Sequence, residues 1–361
     1  MQAKLWCLLG RKAGDNAQVL ALAEALGWPR ADKHIVARPW EIVPHLAMGP
    51  TLAGIDRGAS SPLGPPWPDL VITAGRRNEP VARWIRAQAG GGVRLVHVGR
   101  PWARPGTFDL VVSTPQYFLP EGPGVLVNPL PLHRVTRERV EAAAKDYAPR
   151  VAHLPRPLTT VLIGGDSGPV VFTPEKGRRL AHGINRLVRQ TGGAALVTGS
   201  PRTPMATAQA VRAALDVPAE THFRHDAGDE NPYLGFLGLA DRFVVTGESM
   251  SMLAEAGSLG RPLYIFDPGD GPGPWWRHAH NYRHKPISHA LAMRLAPVRM
   301  RRDISRIQSA LVAQGRARWL DEAPALIAAG EGWVSQAPGD PGESTRRAAE
   351  RVRALMGSGS G

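Results

Sequence analysis

The sequence predicts an α/β fold with two doubly wound parallel sheets, each in its own domain. The chain has 361 residues, 43% hydrophobic and 21% charged, which exceeds what one hydrophobic core usually organises. A strand, loop and helix pattern recurs along both halves, and the strand candidates are continuous apolar runs, which indicates strands buried on both faces. We expect domains over residues 1–150 and 151–335 that face a cleft, then a C-terminal helix and flexible tail over 336–361.

The first half opens with one strand–loop–helix unit. Residues 4–9 form an apolar run that predicts a buried strand, residues 10–16 a glycine loop, and residues 17–26 a helix. The apolar runs that follow are closed by Gly, Pro or polar residues, which is typical of short strands. They predict strands at 70–73, 95–98 and 110–113, a helix at 79–88 and an irregular surface insertion at 53–68.

A second series of elements follows the proline-marked stretch at residues 148–158. It repeats the alternation of apolar strands with helices, so the second half predicts another parallel sheet. The expected strands are 160–163, 195–198, 243–246 and 262–266, and the expected helices are 174–190, 203–215, 250–258, 301–314 and 340–356.

Charge indicates anionic partners. The chain has 44 Lys and Arg against 31 Asp and Glu, a net charge of +13, and only six of the basic residues are lysine. The arginine fork matches diphosphate oxygens, so a phosphate-bearing small molecule, an anionic membrane surface or a nucleic acid would fit this surface. An arginine-rich composition that merely decorates an ordinary surface is the alternative.

Cysteine content and hydropathy limit the compartment and the chemistry. The single cysteine, Cys7, excludes an internal disulfide and a zinc cluster, and its apolar neighbours predict a core position. No window approaches the ~18 apolar residues of a membrane span, and the first apolar run is too short for a signal peptide. We therefore expect a cytoplasmic protein.

Four loops follow predicted strands, at the edge where doubly wound sheets bind ligands. They span residues 10–16, 164–168, 199–203 and 247–251. The first loop matches neither G-x-G-x-x-G nor G-x-x-x-x-G-K-[ST], which disfavours NAD and ATP, and we expect no cofactor. Asp15 or Asn16 would cap the following helix, or else Asp15 faces the cleft as a general base, with Gly14 and Asn16 on the acceptor side.

The other three loops combine small residues with one cation. The residues that we assign to donor binding are Gly164, Gly165, Ser167, Ser200, Arg202, Ser249, Met250, Ser251 and Glu255. An arginine beside hydroxyl donors suits a diphosphate leaving group, whose departure needs charge stabilisation. Turn geometry alone would also explain the glycines, and a solvated helix carboxylate would also explain Glu255.

The stretch at residues 244–256, followed by 260–266, resembles the donor-site signature of GT-B glycosyltransferases of the MurG type. In that comparison Glu255 takes the position of the ribose-binding glutamate. More closely, the chain is similar to the mitochondrial fission family, a bacterial and plant group with a GT-B-like fold of two Rossmann-like domains. The segments that match are 14–18, 163–165, 200–204, 231–234 and 249–252. The family usually has aspartate before the serine, whereas Glu248 precedes Ser249 here.

The resemblance implies a fold and a ligand class, a nucleotide sugar. Our first hypothesis is a metal-independent glycosyltransferase that carries a sugar from a nucleoside diphosphate to a cell-envelope or lipid-linked acceptor. In that hypothesis Glu255 holds the ribose, and Ser249, Ser251 and Arg202 hold the diphosphate. The loop at 164–168 meets the sugar, and Asp15 is the base. A non-catalytic scaffold that binds a protein, as the plant members suggest, and a sugar-nucleotide epimerase are the alternatives. The chain looks like a bacterial member, and we expect no nucleic-acid partner because no reader motif occurs.

Two further segments remain open to interpretation. Residues 275–285 combine aromatic rings, cations and the histidines His278, His280 and His284, but they lack the carboxylates and cysteines of a convincing metal site, and we predict no metal. A basic run comprises Arg294, Arg299, Arg301, Arg302 and Arg306. It would suit peripheral contact with an anionic membrane at the inner face of the plasma membrane, or it is a solvated helix face.

Overall fold

The computed structural model describes residues 3–41, 48–167, 170–226, 231–270, 286–298, 301–330, 333 and 342–357. Its strands are β1 Leu5–Leu9, β2 Arg30–His34, β3 Leu70–Ala74, β4 Arg94–Val98, β5 Leu110–Ser113, β6 Val125–Val127, β7 Leu158–Gly165, β8 Ala194–Arg202, β9 Ala219–His222, β10 Arg242–Thr246, β11 Leu263–Phe266 and β12 Arg318–Trp319. Its helices are α1 Ala13–Leu26, α2 Glu79–Gln88, α3 Arg137–Val151, α4 Pro174–Thr191, α5 Met205–Ala214, α6 Tyr233–Leu239, α7 Met250–Gly257, α8 Pro286–Leu295, α9 Ser305–Ala313, α10 Ala323–Ala328 and α11 Glu343–Gly357.

The chain forms two compact units. The first comprises Met1–Arg134, Ala296–Asp303 and Gly342–Gly361, and the second comprises Val135–Leu295 and Ile304–Pro341. This division differs from the boundary expected at residue 150, which falls inside α3. It also differs for the C-terminal helix, because α11 buries Ala348, Ala349 and Val352 in the core of the first unit.

The first unit is built on a six-stranded sheet in the order β2-β1-β3-β4-β5-β6, and its neighbouring strands are parallel. Alternate residues of β1 point to opposite faces of the sheet. Leu5 and Cys7 pack on the face covered by α1 and α11, and Trp6 and Leu8 pack on the face covered by α2. Cys7 is fully buried, as predicted, and burial raises the pKa of its thiol to about 12.

The second unit repeats this architecture in the order β12-β11-β10-β7-β8-β9. The central strand β7 is buried along all eight residues, because α4 and α5 cover one face of the sheet and α3 and α6 cover the other. The fold class predicted from the sequence, two doubly wound parallel sheets, is confirmed.

The structure adds strands that the hydrophobic pattern did not indicate. Strands β2 and β9 are polar edge strands, and β6 and β12 have only three and two residues, so none shows a long apolar run. The expected surface insertion at 53–68 is partly internal, because Ile55 is 3% exposed and the Trp67 ring lies at a tilt to Trp6 and edge-on to Trp84. In the described ranges, no helix has the length and hydropathy needed to span a membrane.

Candidate functional site

The three loops predicted at residues 164–168, 199–203 and 247–251 meet at the carboxyl end of the second sheet, but the structure corrects their bounds. Gly164 and Gly165 are the last residues of β7, residues 199–202 belong to β8, and residues 250 and 251 begin α7. Strands β7, β8 and β10 are neighbours in the sheet. The Gly164 N–H donates to Thr246 Oγ1 at 2.8 Å, and the Gly165 N–H donates to Glu248 Oε1 at 2.7 Å. The Ser200 hydroxyl donates to the Gly164 carbonyl. These hydrogen bonds join the three loops into one continuous edge.

The chain itself fills the space beside Gly164 and Gly165. A Cβ atom on Gly164 would collide with the Glu248 carboxylate and would lie 2.7 Å from Ser249 Cβ. Gly165 has a φ of +111°, and its Cβ would collide with the Arg202 carbonyl. Close internal packing therefore requires both glycines, whatever ligand the edge binds.

The predicted serines occupy different environments. Ser200 and Ser249 are 9% and 4% exposed, and the Ser200 hydroxyl is engaged inside the loop by Gly164 and by the Arg202 N–H. Ser167 exchanges backbone hydrogen bonds with Val170, and its buried hydroxyl has no partner within the described segments. Ser251, in the first turn of α7, is partly exposed and is the best placed of these hydroxyls to reach a ligand.

Arg202 carries an exposed positive charge at this edge. Its Nη1 donates to the Asp166 carbonyl at 2.8 Å, which holds the side chain over the loop that follows β7. Met250 is different, because its side chain is 5% exposed and packs inward at the start of α7. Any contribution of Met250 to ligand binding would come from its backbone N–H, which lies in the first turn of the helix.

Glu255 lies on α7, and its carboxyl pairs with a tyrosine. The Tyr233 hydroxyl, at the start of α6, donates to Glu255 Oε2. Burial raises the pKa of Glu255 to about 7, and the hydrogen bond from Tyr233 acts in the opposite direction. Glu255 is therefore a partly buried acid that changes its charge near neutral pH, and not a solvated helix carboxylate.

Glu248 and Lys176 are two polar residues of this unit that the sequence did not assign to the site. Glu248 is 4% exposed, its Oε1 also accepts from Thr246 Oγ1 at 2.9 Å, and burial raises the pKa of its carboxyl. Lys176 is 5% exposed and forms an ion pair of 2.7 Å with Asp270, which follows β11. Glu248 stands where the resemblance leads us to expect aspartate, which is a signal in the sequence, whereas nothing in the sequence pairs Lys176 with Asp270.

In the first unit, Asp15 and Asn16 lie inside α1. The helix begins at Ala13, four residues earlier than predicted, and Lys12 occupies the cap position, so the prediction that Asp15 or Asn16 caps the helix is wrong. Gly14 is exposed in the first turn of α1, where its carbonyl accepts from Gln18.

Asn16 and Asp15 have different surroundings. Asn16 exchanges two hydrogen bonds with Gly10, at 2.8 and 2.7 Å, and so closes the turn after β1. The Asp15 carboxylate lies 3.9 Å from Lys12 Nζ and close above Gly75, where an added Cβ would lie 2.9 Å from it. Asp15 is thus at the carboxyl end of the first sheet, with part of its side chain exposed.

Several expectations fall outside the described ranges or have a partial outcome. Gly168, Arg299 and the segment 275–285 with its three histidines lie outside them. In the part of the chain that the structure covers, no group of three or more His, Cys, Asp or Glu could hold a metal ion.

In the basic run, Arg301 donates to the Ala296 carbonyl at 2.8 Å and Arg302 donates to the Gln116 side chain at 2.8 Å. These two arginines are therefore anchored to their own unit.

Two hollows lie away from the strand ends that carry the predicted residues. One of about 490 Å³ in the first unit is lined by Glu121, Arg347 and Arg351. Another of about 370 Å³ lies where β10 and β11 begin, beside Arg242 and Pro262. Neither hollow is lined by a residue assigned to donor binding.

Comparison with known proteins agrees with this architecture. The chain is 26% identical over 220 residues to the mitochondrial fission protein ELM1 of Arabidopsis thaliana, covering 55% of this chain and 51% of that protein. The chain thus matches about half the length of this relative.

Among solved structures, it is similar to the UDP-GlcNAc 2-epimerase of Neisseria meningitidis, bound to UDP-GlcNAc, with a TM-score of 0.54, 11% identity and coverage of 98% and 100% of the two chains. Acinetobacter baumannii MurG gives a TM-score of 0.48 at 12% identity, with coverage of 98% and 99%. The family described as mitochondrial fission ELM1 matches residues 13–356. The chain belongs to that family, and its two doubly wound units have the GT-B-like fold.

Proposed function

We propose that the second unit binds a nucleoside-diphosphate sugar and that the protein transfers the sugar to a cell-envelope or lipid-linked acceptor without a metal ion. One observation carries the proposal. The carboxyl edge of the second sheet carries the exposed cation of Arg202, and α7, which follows β10 at this edge, carries the partly exposed Ser251 hydroxyl and the partly buried acid Glu255. A diphosphate, a sugar and a ribose require these three kinds of group.

In this proposal the diphosphate lies at the start of α7. The first N–H groups of a helix have no intrahelical partner and favour anions, and Ser249, Met250 and Ser251 begin this helix. Arg202 adds a fixed charge that stabilises the departing diphosphate. Glu255 accepts hydrogen bonds from the ribose hydroxyls.

The remaining predicted residues take supporting roles in this proposal. Gly164, Gly165 and Ser167 border the sugar, and the buried Ser200 hydroxyl holds the Gly164 carbonyl instead of contacting the ligand. Asp15 is the proposed base for the acceptor hydroxyl, because its carboxylate is partly exposed at a strand end. A lipid-linked acceptor would bring the protein to the surface of an anionic membrane.

Calorimetry against UDP, GDP, ADP and CMP sugars tests the proposal. We expect one sugar nucleotide to bind, and Glu255→Ala to weaken that binding about 10- to 100-fold, because hydrogen bonds to a charged group are lost. Glu220→Ala, a carboxylate of the edge strand β9, is the matched control and should leave the affinity unchanged. Binding to none of the four classes would contradict the proposal, and conversion of the sugar nucleotide with no acceptor present would indicate an epimerase.

A scaffold that binds a protein partner is the second candidate. The observation in its favour is that Ser200 and Ser249 are buried and that the chain itself fills the spaces beside Gly164 and Gly165. An edge closed in this way offers a ligand fewer groups than the sequence suggests. Recovery of a stoichiometric protein partner, together with no hydrolysis or transfer of any sugar nucleotide, would favour this candidate over the transferase.

A further inference from the structure

The segment Asn231-Pro232-Tyr233-Leu234 has no role in the proposed function, although it is one of the segments that match the family. Tyr233 of this segment contacts Glu255, the proposed ribose-binding residue, because the Tyr233 hydroxyl donates to Glu255 Oε2. The two residues lie 22 positions apart and on different helices. The contact therefore forms only when α6 and α7 pack together in the folded protein.

The backbone of α6 holds the tyrosine firmly in place. Asn231 Oδ1 accepts the Tyr233 N–H at 3.1 Å, which fixes the turn that starts the helix. Further along, a Cβ on Gly235 would lie 2.8 Å from Tyr147 Cβ, so α6 packs closely against α3. Thr160 Oγ1 also donates to the Phe236 carbonyl at 2.8 Å and ties the helix to β7. The hydroxyl is thus presented to Glu255 by a fixed helix.

The charge on the Glu255 carboxyl depends on this contact. Burial raises its pKa to about 7, and among the groups that the structure describes Tyr233 is the titratable side chain that faces it. Burial, followed by the charge on Glu255, raises the pKa of Tyr233 well above its ordinary value. Tyr233 therefore remains a hydrogen-bond donor across the range in which Glu255 gains or loses its proton.

We infer that Tyr233 is a positioning residue that holds one oxygen of Glu255, leaves the other for the ribose, and makes ribose binding depend on the ionised carboxylate. This inference rests on the proposed function. A carboxylate accepts hydrogen bonds from two hydroxyls more strongly than a neutral acid does. The donor site is then open to a nucleotide above neutral pH and weakened below it, with Tyr233 setting the pH at which the change occurs.

Calorimetry with UDP-GlcNAc between pH 5.5 and 8.5 tests this inference. The diphosphate of this probe is doubly esterified and does not titrate in that range, so a change in affinity reports the protein. For the wild-type chain we expect an affinity that is constant above about pH 7 and falls up to about tenfold per pH unit below it. Tyr233→Phe removes a hydrogen bond that favours the charged form, and it should move the midpoint upward by about 1 pH unit.

Two controls separate positioning from folding. Tyr264→Phe removes a buried hydroxyl from β11 of the same unit and should leave the midpoint unchanged. A probe with 2′-deoxyuridine in place of uridine should bind the wild-type chain more weakly and lose part of the pH dependence, and this measurement needs no variant that must fold.

The outcomes distinguish this inference from the proposed function. An unchanged midpoint in Tyr233→Phe, or full pH dependence with the deoxy probe, overturns the inference and leaves nucleotide binding intact. A wild-type chain that binds UDP-GlcNAc at no pH overturns the inference as well. If it also binds none of the other sugar nucleotides, the proposed function fails with it.

Discussion

The turn after β1 and the carboxyl end of β7 belong to corresponding strands of the two units but are closed in different ways. The first is closed by Asn16, six residues from its partner Gly10. The second is closed by Ser200, Thr246 and Glu248, which lie 36, 82 and 83 residues from the glycines that they bond. One turn is thus a local structure, whereas the other exists only when three strands have assembled. Substitutions in the first loop should act locally, and those in the second should affect several segments at once.

The largest effect is expected from Gly165→Ala. The new Cβ would collide with the Arg202 carbonyl in a backbone conformation with positive φ, so strands β7 and β8 would have to separate locally. We expect a loss of about 2–4 kcal/mol in the free energy of unfolding of the second unit. Gly27→Ala is the control, because Gly27 also has a positive φ but no atom within 4 Å of the added Cβ. Denaturant unfolding measures both, and equal losses would show that packing between the loops contributes nothing.

An intermediate effect is expected from Glu248→Ala, which removes the acceptor of the Gly165 N–H and of Thr246 Oγ1. We expect a loss of about 1–3 kcal/mol. Hydrogen exchange should increase together in the loops after β7, β8 and β10. Glu248→Gln keeps an acceptor oxygen at this position and should preserve most of the protection. If exchange rises only in the loop that contains residue 248, the three loops are not one cooperative edge.

The smallest effect is expected from Asn16→Ala, which removes both hydrogen bonds to Gly10. We expect a loss of about 1 kcal/mol, since the bonds are partly buried and water can replace them. Exchange should increase in residues 8–18 and nowhere else in the first sheet. Increased exchange that reached β3 or β4 would show that this loop, too, depends on tertiary contacts, and the contrast between the two units would disappear.

Much of the fold could be predicted because a strand that is buried on both faces of its sheet has a continuous run of apolar residues in the sequence. The central strands β1, β3, β7 and β10 are of this kind, and each lies within a residue or two of its predicted bounds. The edge strand β2 could not be predicted from hydropathy, because only one of its edges is paired and its residues are polar. The position of α11 could not be predicted either. Its small apolar residues share a core with α1, which lies more than 300 residues earlier in the sequence.

The candidate site was only partly visible in the sequence. The resemblance to GT-B enzymes singled out Glu255, and the loop composition singled out Arg202 and Ser251. The burial of Ser200 and Ser249 could not be predicted, because exposure of a hydroxyl depends on how neighbouring segments fold over it. Tyr233 belonged to a matching segment, but its contact with Glu255 requires α6 and α7 to be adjacent.

The sequence by itself determined the two parallel sheets, their central strands and the buried cysteine. Each of these follows from hydrophobic patterning and local turn chemistry, which act over a few neighbouring residues. The tertiary structure decided which glycines are enclosed, which serines are accessible, and that Glu255 is paired with Tyr233. These features depend on strand order and helix packing, because both bring together side chains that lie tens of residues apart in the sequence.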